Sequence, residues 1–268
     1  MRVANLIVLI LAIIWLIADP GLEQAIAVVA AVGALFIQQR KAFKDAVPYD
    51  HPYTASDAPE FYDRIAGVYD ARNSDLLIAT HKKVIETIAN HLRSRSNWSV
   101  LDLCGGTGRL IAFHFSTIAD GHWISVDSSG SMRAQFERNL RGTRLPVDLR
   151  SQDIYEFLAG PGVPAKHDVV LLALALSSLP RNPDWERVAA QLKTDGILVV
   201  ADIEPSYAAI HPYYTALVGN ETHALRTRPV HLANVISEAT DAGLVPADST
   251  SVHEGEKTYS YIQVFRSA

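Results

Sequence analysis

The segment 100–110, VLDLCGGTGRL, constrains the fold more than any other part of the sequence. An apolar run that includes Asp102 predicts a buried strand, and the apolar residues after Gly108 predict a helix. Between them lie Gly105 and Gly106, and glycine allows the backbone to turn sharply and to approach a ligand closely. The segment therefore predicts a strand, a ligand-binding turn and a helix in that order.

The spacing of these glycines excludes two common phosphate-binding motifs. A dinucleotide-binding turn follows the pattern G-x-G-x-x-G, whereas this chain has Asp102-x-x-Gly105-Gly106-x-Gly108. A P-loop ends in Gly-Lys-Ser or Gly-Lys-Thr, and this loop does not. Because Arg109 is the first basic residue of the loop, the turn suits a positively charged nucleoside better than a pyrophosphate.

Strands and helices alternate along most of the remaining chain. We predict strands over 98–103, 122–128, 147–153, 168–176 and 196–204, helices over 74–94, 108–118, 130–140, 184–192 and 232–243, and closing strands over 244–253 and 258–266. Such alternation predicts a parallel sheet with helices on both faces. In an open sheet of this kind, ligands bind at the carboxyl ends of the strands.

Acidic residues follow or end three successive predicted strands. Asp127 ends the second strand, where a carboxylate can accept both hydroxyls of a ribose. Asp153 ends the third strand, where it can accept a hydrogen bond from an adenine amino group. Asp102 can face an ammonium group or the amides of the glycine loop. Each acid also has a structural alternative, as a strand end, a helix cap or a loop-shaping residue.

Together these motifs resemble those of the class I S-adenosylmethionine (SAM)-dependent methyltransferases, from about Phe61 to the carboxyl end. VLDLCGGTGRL is similar to the family's first motif, ISVDSS to its second-strand acid, and SQDIYEF to its adenine-contacting segment. The segment FYDRIAGVYD resembles the opening of the ubiquinone/menaquinone-biosynthesis C-methyltransferase-like group. An aromatic residue there often closes over the cofactor, which makes Tyr62 and Tyr69 candidates for a lid.

The resemblance implies an α/β fold with a Rossmann-like, seven-stranded, mostly parallel sheet whose last strand is antiparallel. It implies SAM as the cofactor, and it assigns the cofactor contacts to Asp102, Gly105, Gly106, Gly108, Asp127, Ser128, Asp153, Ile154, Tyr69 and Ala173. Methyl transfer from a sulfonium depends mainly on proximity and orientation. A general base is needed only if the acceptor must lose a proton early. Our candidates for that base are His211, His223 and Glu204.

The amino-terminal 37 residues are almost uncharged, unlike the rest of the chain. Two apolar runs, 3–18 and 22–37, flank the turn signal Asp-Pro-Gly. As a helix, each run would be roughly 24 Å long, shorter than a bilayer core of about 30 Å. The pair therefore either spans a locally thinned bilayer or enters and leaves one leaflet. We predict a transmembrane or re-entrant hairpin over 1–39, with a cleaved signal peptide or a soluble helical hairpin as alternatives.

Basic residues at both ends of the hairpin predict its orientation. One precedes the first run and three follow the second: Arg2, Arg40, Lys41 and Lys44. This placement puts both ends, and the rest of the protein, on the cytoplasmic face of the membrane. Small residues in the second run permit close helix contact, so the hairpin could also join copies of the chain into a homo-oligomer.

The sequence thus predicts a hairpin over 1–39, a linker over 40–59 and a methyltransferase domain over 60–268. We expect a membrane-anchored methyltransferase that acts on a lipophilic small molecule, such as a quinone-like ring, a lipid or a secondary metabolite. The alternatives are a small soluble or volatile thiol or metabolite as acceptor, or a non-catalytic membrane-tethered scaffold. The net charge of −5 argues against a nucleic-acid partner. No spacing of Cys and His predicts a metal site.

Overall fold

The structure, a computed structural model, describes residues 49–71, 74–112, 120–160 and 166–267. The chain divides into two compact units, Met1–Tyr49 and Asp50–Ala268. The predicted hairpin over 1–39 lies outside the described residues. Among the residues that are described, none of the helices has the length and apolar character needed to cross a membrane.

The described residues of the second unit form strands and helices in alternation. The strands are β1 (His51–Tyr53), β2 (Trp98–Leu103), β3 (Gly121–Asp127), β4 (Val147–Ser151), β5 (His167–Ala173), β6 (Leu192–Ile203), β7 (Tyr213–Val218), β8 (Glu221–Arg226), β9 (Leu244–Glu254) and β10 (Lys257–Ser267). The helices with both ends described are α1 (Ala58–Tyr69), α2 (Asp75–Leu92), α3 (Gly130–Asn139), α4 (Ile154–Ala159), α5 (Trp185–Ala190), α6 (Pro205–Ile210) and α7 (Leu232–Asp241). Residues 109–112, directly after the glycine loop, are also helical.

Seven strands form the main sheet in the order β4-β3-β2-β5-β6-β10-β9. The first five strands of that order are parallel, and β10 is antiparallel to both of its neighbours. The prediction of a seven-stranded, mostly parallel sheet with an antiparallel last strand is therefore confirmed. Chain order reverses at β2, which lies between β3 and β5, so the crevice for a ligand opens at the carboxyl ends of these strands.

The hydrophobic core lies on both faces of the main sheet. β5 contributes Val170 and Leu172 to the cluster on one face and Val169 and Leu171 to the cluster on the other. Successive side chains of a strand point to opposite faces, so a strand covered on both sides needs apolar residues at every position. This double burial explains the uninterrupted apolar run that the sequence shows in this segment.

A second, three-stranded sheet has the order β1-β8-β7. β1 pairs in parallel with β8, with His51 opposite His223, and β7 and β8 form a hairpin around Gly219 and Asn220. Phe61 and Ile65 of α1 pack in a small cluster with residues of β7, β8 and α3. The small sheet is therefore fixed to the side of the molecule where α1 lies.

Two features of the small sheet differ from the sequence predictions. β1 lies inside the segment 40–59 that we predicted to be a linker, and the compact unit begins at Asp50 instead of residue 60. A strand of three residues has too little periodicity to be recognised, and its partner β8 lies far away in the sequence. The segment 205–231, for which we predicted no strand or helix, contains the hairpin β7–β8. Its two-residue turn Gly219-Asn220 is a hairpin signal that we did not use.

Candidate active site

A cavity of about 340 Å³ opens where β2, β3 and β5 end. It is lined by nine of the ten residues that were assigned to the cofactor: Asp102, Gly105, Gly106, Asp127, Ser128, Asp153, Ile154, Tyr69 and Ala173. The tenth, Gly108, is not among the lining residues. The structure therefore brings the predicted contacts together around one space, although they come from five separate segments of the chain.

Asp127 ties the glycine loop to the loop that follows β3. Its Oδ2 accepts a hydrogen bond from the backbone N–H of Gly106 at 2.8 Å, and its Oδ1 accepts one from the N–H of Ser129 at 2.8 Å. Burial raises the pKa of this carboxyl, and the two backbone amides act in the opposite direction. A carboxylate has about four lone-pair sites, so each oxygen can still accept one ligand hydroxyl.

Asp102 lies beneath the loop with only 2% of its surface exposed. Its Oδ2 accepts a hydrogen bond from Nε1 of Trp123 at 3.2 Å. Burial, the largest cause, and the nearby Asp127 raise the pKa of Asp102 to about 7. A carboxyl with this pKa gains its charge most readily when a cation binds next to it.

Gly105 and Gly108 are required for different reasons. A Cβ at Gly105 would lie 2.0 Å from Oγ of Ser125 and 2.8 Å from Oδ2 of Asp102, so the loop can approach β3 only without a side chain. A Cβ at Gly108 would lie 2.0 Å from the ring of Phe136, and Gly108 has a positive φ of 67°. Gly108 therefore packs the loop against α3 and does not face the ligand.

Asp153 begins α4 as its N-cap residue. Its Oδ1 accepts a hydrogen bond from the backbone N–H of Tyr155 at 2.8 Å, which satisfies a free amide of the first helical turn. This role explains why β4 ends at Ser151 and not at 153 as predicted. The carboxyl also lines the cavity, so the cap and an adenine contact are compatible at this residue.

Two residues with side chains adopt a left-handed backbone in the wall of the cavity. Cys104 has a φ of 64° and Leu174 a φ of 57°. Such conformations cost on the order of 1–3 kcal/mol and cluster at functional sites. Burial is the main reason why the pKa of the Cys104 thiol is raised, and the nearby Asp127 raises this pKa further. Its thiolate is therefore disfavoured, which argues against a nucleophilic role.

A second cavity, of about 570 Å³, adjoins the first. The two cavities share four wall residues: Tyr62, Tyr69, Leu174 and Ser178. Six tyrosines line the second cavity, namely Tyr62, Tyr69, Tyr207, Tyr213, Tyr214 and Tyr259. Among the described residues, none of its lining side chains is Asp, Glu, Lys or Arg. The second cavity therefore suits an uncharged ligand with a large apolar or aromatic surface.

Tyr62 stands in the wall between the two cavities. Its hydroxyl lies 2.7 Å from Oγ of Ser178 in the loop after β5, and its ring contacts the ring of Tyr69 edge to face at 6.2 Å. Burial raises the pKa of both phenols, so both stay neutral at physiological pH. Both rings line the first cavity, and their role as a lid over the cofactor stays a prediction.

Asp202 supports this wall and was not predicted from the sequence. It is fully buried near the end of β6, and its Oδ2 accepts a hydrogen bond from the backbone N–H of Ser177 at 2.8 Å. Burial raises the pKa of Asp202, and the hydrogen bonds from Ser177 act in the opposite direction. Asp202 thereby holds the loop that presents Ser178 to Tyr62.

The structure separates the three candidate bases. His211, just after α6, lines the second cavity, where its ring lies 5.1 Å from that of Tyr207. His223 is buried in β8 and lines neither cavity, because its ring packs against His51. Glu204 is the N-cap residue of α6 and also lines neither cavity. Of the three, His211 alone is positioned to reach a ligand in the second cavity.

Several cavity residues were missed because they come from elements with no recognisable motif. His81 lines the first cavity, and Leu76, Leu77 and Tyr259 line the second. In the sequence, residues of this type on α2 and β10 look like ordinary core positions. Only the packing of α2 and β10 beside the loop after β5 shows that these residues also line a cavity.

Comparison with known proteins supports the assignment of the fold. Residues 100–196 match a family model described as "Methyltransferase domain", and no curated protein sequence matches the chain. The CcbJ methyltransferase from Streptomyces caelestis is 17% identical, with a TM-score of 0.59 over 78% of this chain and 98% of that one. The magnesium protoporphyrin IX methyltransferase ChlM from Synechocystis PCC 6803, with bound SAM, is 16% identical, with a TM-score of 0.51 over 72% and 83%.

A third similar structure widens the range of activities found on this fold. The 4+2 cyclase SpnF is 15% identical, with a TM-score of 0.60 over 81% of this chain and 98% of that one. At such identities, similarity between structures shows the fold and not the reaction. The family match, however, covers the strand, the glycine loop and the acids that line the first cavity. Residues 100–196 are therefore a methyltransferase domain, and the cofactor of the enzyme is SAM.

Proposed function

We propose that this protein transfers the methyl group of SAM to a lipophilic small molecule at a membrane surface. The observation that carries this proposal is the second cavity, which shares a wall with the cofactor cavity. Its lining of tyrosine and aliphatic side chains favours an uncharged acceptor, such as a quinone-like ring, a lipid or a hydrophobic secondary metabolite. The likeness of FYDRIAGVYD to the ubiquinone/menaquinone group supports a ring as acceptor.

The residues around the first cavity fit SAM. Asp127 offers free lone pairs to the ribose hydroxyls, and Asp153 with Ile154 offers a polar and an apolar contact to the adenine. Asp102 offers a carboxyl whose ionisation favours a neighbouring cation. When bound, SAM supplies an activated methyl group on a sulfonium. The protein's own contribution is to hold donor and acceptor in direct contact where the two cavities adjoin, and to exclude water there.

His211 is the residue of this chain that we assign to proton removal from the acceptor. Its ring lies in the second cavity among tyrosines whose phenols are poor bases at neutral pH. A neutral imidazole has one ring nitrogen that can accept a proton from the ligand. An acceptor that needs no early proton loss would leave this residue as part of the cavity wall.

The amino-terminal sequence supports a location at the membrane. Residues 1–37 carry only Arg2, Asp19 and Glu23 as charges. Anchoring on the cytoplasmic face would confine the enzyme to the phase in which a lipophilic acceptor dissolves. The same apolar helices would give copies of the chain a surface for association within the bilayer.

Replacing Leu77 with Glu tests the assignment of the second cavity. Leu77 lines that cavity but not the cofactor cavity. We expect the transfer of labelled methyl from SAM into a lipid extract to fall about tenfold or more, because a buried, unpaired carboxylate repels an apolar ligand. The affinity for SAM, measured by calorimetry, should not change.

Leu217→Glu is the matched control, because Leu217 is 61% exposed on β7 and makes no part of either cavity. It should transfer methyl at the wild-type rate. Wild-type transfer by Leu77→Glu would contradict the acceptor assignment. Labelling of a soluble thiol but not of the lipid extract would favour the small-metabolite alternative. SAM binding without any transfer would favour a scaffold or another reaction on the same fold.

Deleting residues 1–40 tests the anchor. We expect the full chain to sediment with membranes and to resist carbonate extraction, and we expect the truncated protein to remain in the supernatant. The deletion ends before Asp50, where the second compact unit begins, so SAM affinity should persist and shows that the truncated protein is folded. A truncated protein that is folded and still sediments with membranes would refute the anchor.

A further inference from the structure

We propose that His51, Glu221 and His223 form a binding site for a divalent transition-metal cation, separate from the active site. Each residue offers one ligand atom, and these atoms all lie within 4.8 Å of one another. None of the three lines either cavity. The spacing of His residues in the sequence predicted no metal site, because this cluster joins two strands that are far apart in the chain.

The strand pairing of the small sheet creates the cluster. His51 is directly opposite His223 in the parallel pair β1–β8, so the two rings project from the same face. Glu221 precedes His223 by two positions on β8, which puts its side chain on that face too. The regular geometry of the sheet therefore brings three potential metal ligands together.

The distances within the cluster suit a shared ion. Oε2 of Glu221 lies 3.1 Å from Nε2 of His51 and 3.7 Å from Nε2 of His223. Two ligands of one tetrahedral zinc ion, each about 2.0–2.1 Å from the metal, lie roughly 3.3 Å apart. A metal lies in the plane of each imidazole that binds it, so His51, whose side chain is 44% exposed, would have to turn out of the ring stack to join Glu221 and His223 around one cation.

The second ring nitrogen of His223 already has the partner that a metal ligand usually needs. The hydroxyl of Tyr53 lies 3.3 Å from Nδ1 of His223. A hydrogen bond from Nδ1 to this oxygen leaves the lone pair of Nε2 free to bind a metal. The ring itself is 3% exposed and stacks on His51 with centroids 4.7 Å apart, so it has little freedom to turn away.

The ligand types indicate which cations fit. Two imidazole nitrogens and one carboxylate oxygen favour Zn²⁺, Co²⁺ or Ni²⁺ over Mg²⁺ or Ca²⁺, which prefer oxygen ligands. Asp50 adds negative charge close to the cluster, because its carboxylate accepts a hydrogen bond from the backbone N–H of Thr222 at 3.0 Å. Without a metal, the His51–Glu221 contact is an exposed hydrogen bond of 3.1 Å.

A metal here would reinforce the small sheet. β1 has only three residues, and a cation held by His51 and β8 would fasten it in place. The ring of Tyr53 contacts Phe61 at 5.5 Å, and Phe61 contacts Tyr62 at 5.2 Å and Tyr214 at 5.8 Å. The site is thus joined by packed rings to two walls of the acceptor cavity, and we assign it a structural role.

Titration of the untagged full-length protein with ZnCl₂ and CoCl₂ tests this proposal. After treatment with a chelator, we expect one equivalent of Zn²⁺ to bind by calorimetry and to raise the melting temperature, with no response to MgCl₂. His51→Ala and Glu221→Gln should each weaken Zn²⁺ binding about tenfold or more, and Tyr53→Phe should weaken it by about tenfold. Both ligand positions are largely exposed, so these variants should fold and bind SAM as the wild type does.

His253→Ala is the matched control, because His253 is also exposed on a strand but contacts only Ser251 and Thr258 among the polar side chains described. It should bind Zn²⁺ as the wild type does. The proposal is overturned if the wild type binds no Zn²⁺ at stoichiometric concentration. It is also overturned if His51→Ala binds Zn²⁺ as tightly as the wild type, which would assign the ion to other residues.

Discussion

Replacing Asp127 with alanine is expected to lower the affinity for SAM by at least about 100-fold. The carboxylate holds the glycine loop through Gly106 and Ser129 and keeps lone pairs free for the two ribose hydroxyls. Hydrogen bonds to a charged group each contribute about 1.5–3 kcal/mol, and every 1.4 kcal/mol is tenfold in affinity. Calorimetric titration of the purified protein with SAM measures the loss.

Asp148→Ala is the control for this experiment. Asp148 lies on the neighbouring strand β4, has the same charge, and pairs with Arg150 outside both cavities. Its replacement should leave SAM affinity unchanged. If Asp127→Ala, with a normal circular dichroism spectrum, bound SAM as tightly as Asp148→Ala, the assignment of the ribose to Asp127 would be wrong.

Replacing Asp102 with asparagine is expected to stabilise the ligand-free protein above neutral pH and to weaken SAM binding. The folded-state pKa of Asp102 is raised from 3.8 to about 7, mainly by burial. Between these two values the folded state binds more protons than the unfolded state, so the free energy of unfolding falls as pH rises. At pH 8 Asp102 is ionised in the folded wild type. The cost of this buried charge lowers the free energy of unfolding by roughly 4 kcal/mol at most.

Asparagine removes this penalty and can still accept the hydrogen bond from Trp123 through its amide oxygen. Urea unfolding at pH 8 should show the variant to be more stable than the wild type, and the gain should shrink steadily towards pH 4. A gain of the same size at both pH values would show that Asp102 is not the titrating group. SAM affinity should fall in the variant at pH 8, because the negative charge next to the cationic cofactor is lost.

The sequence predicted well those strands that appear as an apolar run between two turns. β2 begins and ends at the predicted residues, because its apolar run is buried on both faces and bounded by a turn on each side. β6 begins four residues earlier than predicted, at Leu192, because its first residues are charged. Lys193 pairs there with Asp168 at 2.7 Å, so polar residues continue a strand that looked finished.

The two cavities also differ in how far the sequence could predict them. The first is built from loops that directly follow strands, and such positions can be inferred from the alternation of elements alone. The second is built from α2, α6, β7 and β10, and its tyrosines meet only through tertiary packing. His223 was one of the three candidate bases. It proved to be buried in an unforeseen strand, where its partners are His51 and Tyr53.

The pairing of β1 with β8 has a consequence for how the molecule is completed during synthesis. Tyr53 and His223 are separated by 170 positions, so β1 leaves the ribosome long before its partner exists. Contacts of such long range form late, after shorter loops have closed. The three-stranded sheet can therefore be completed only when most of the chain has been made.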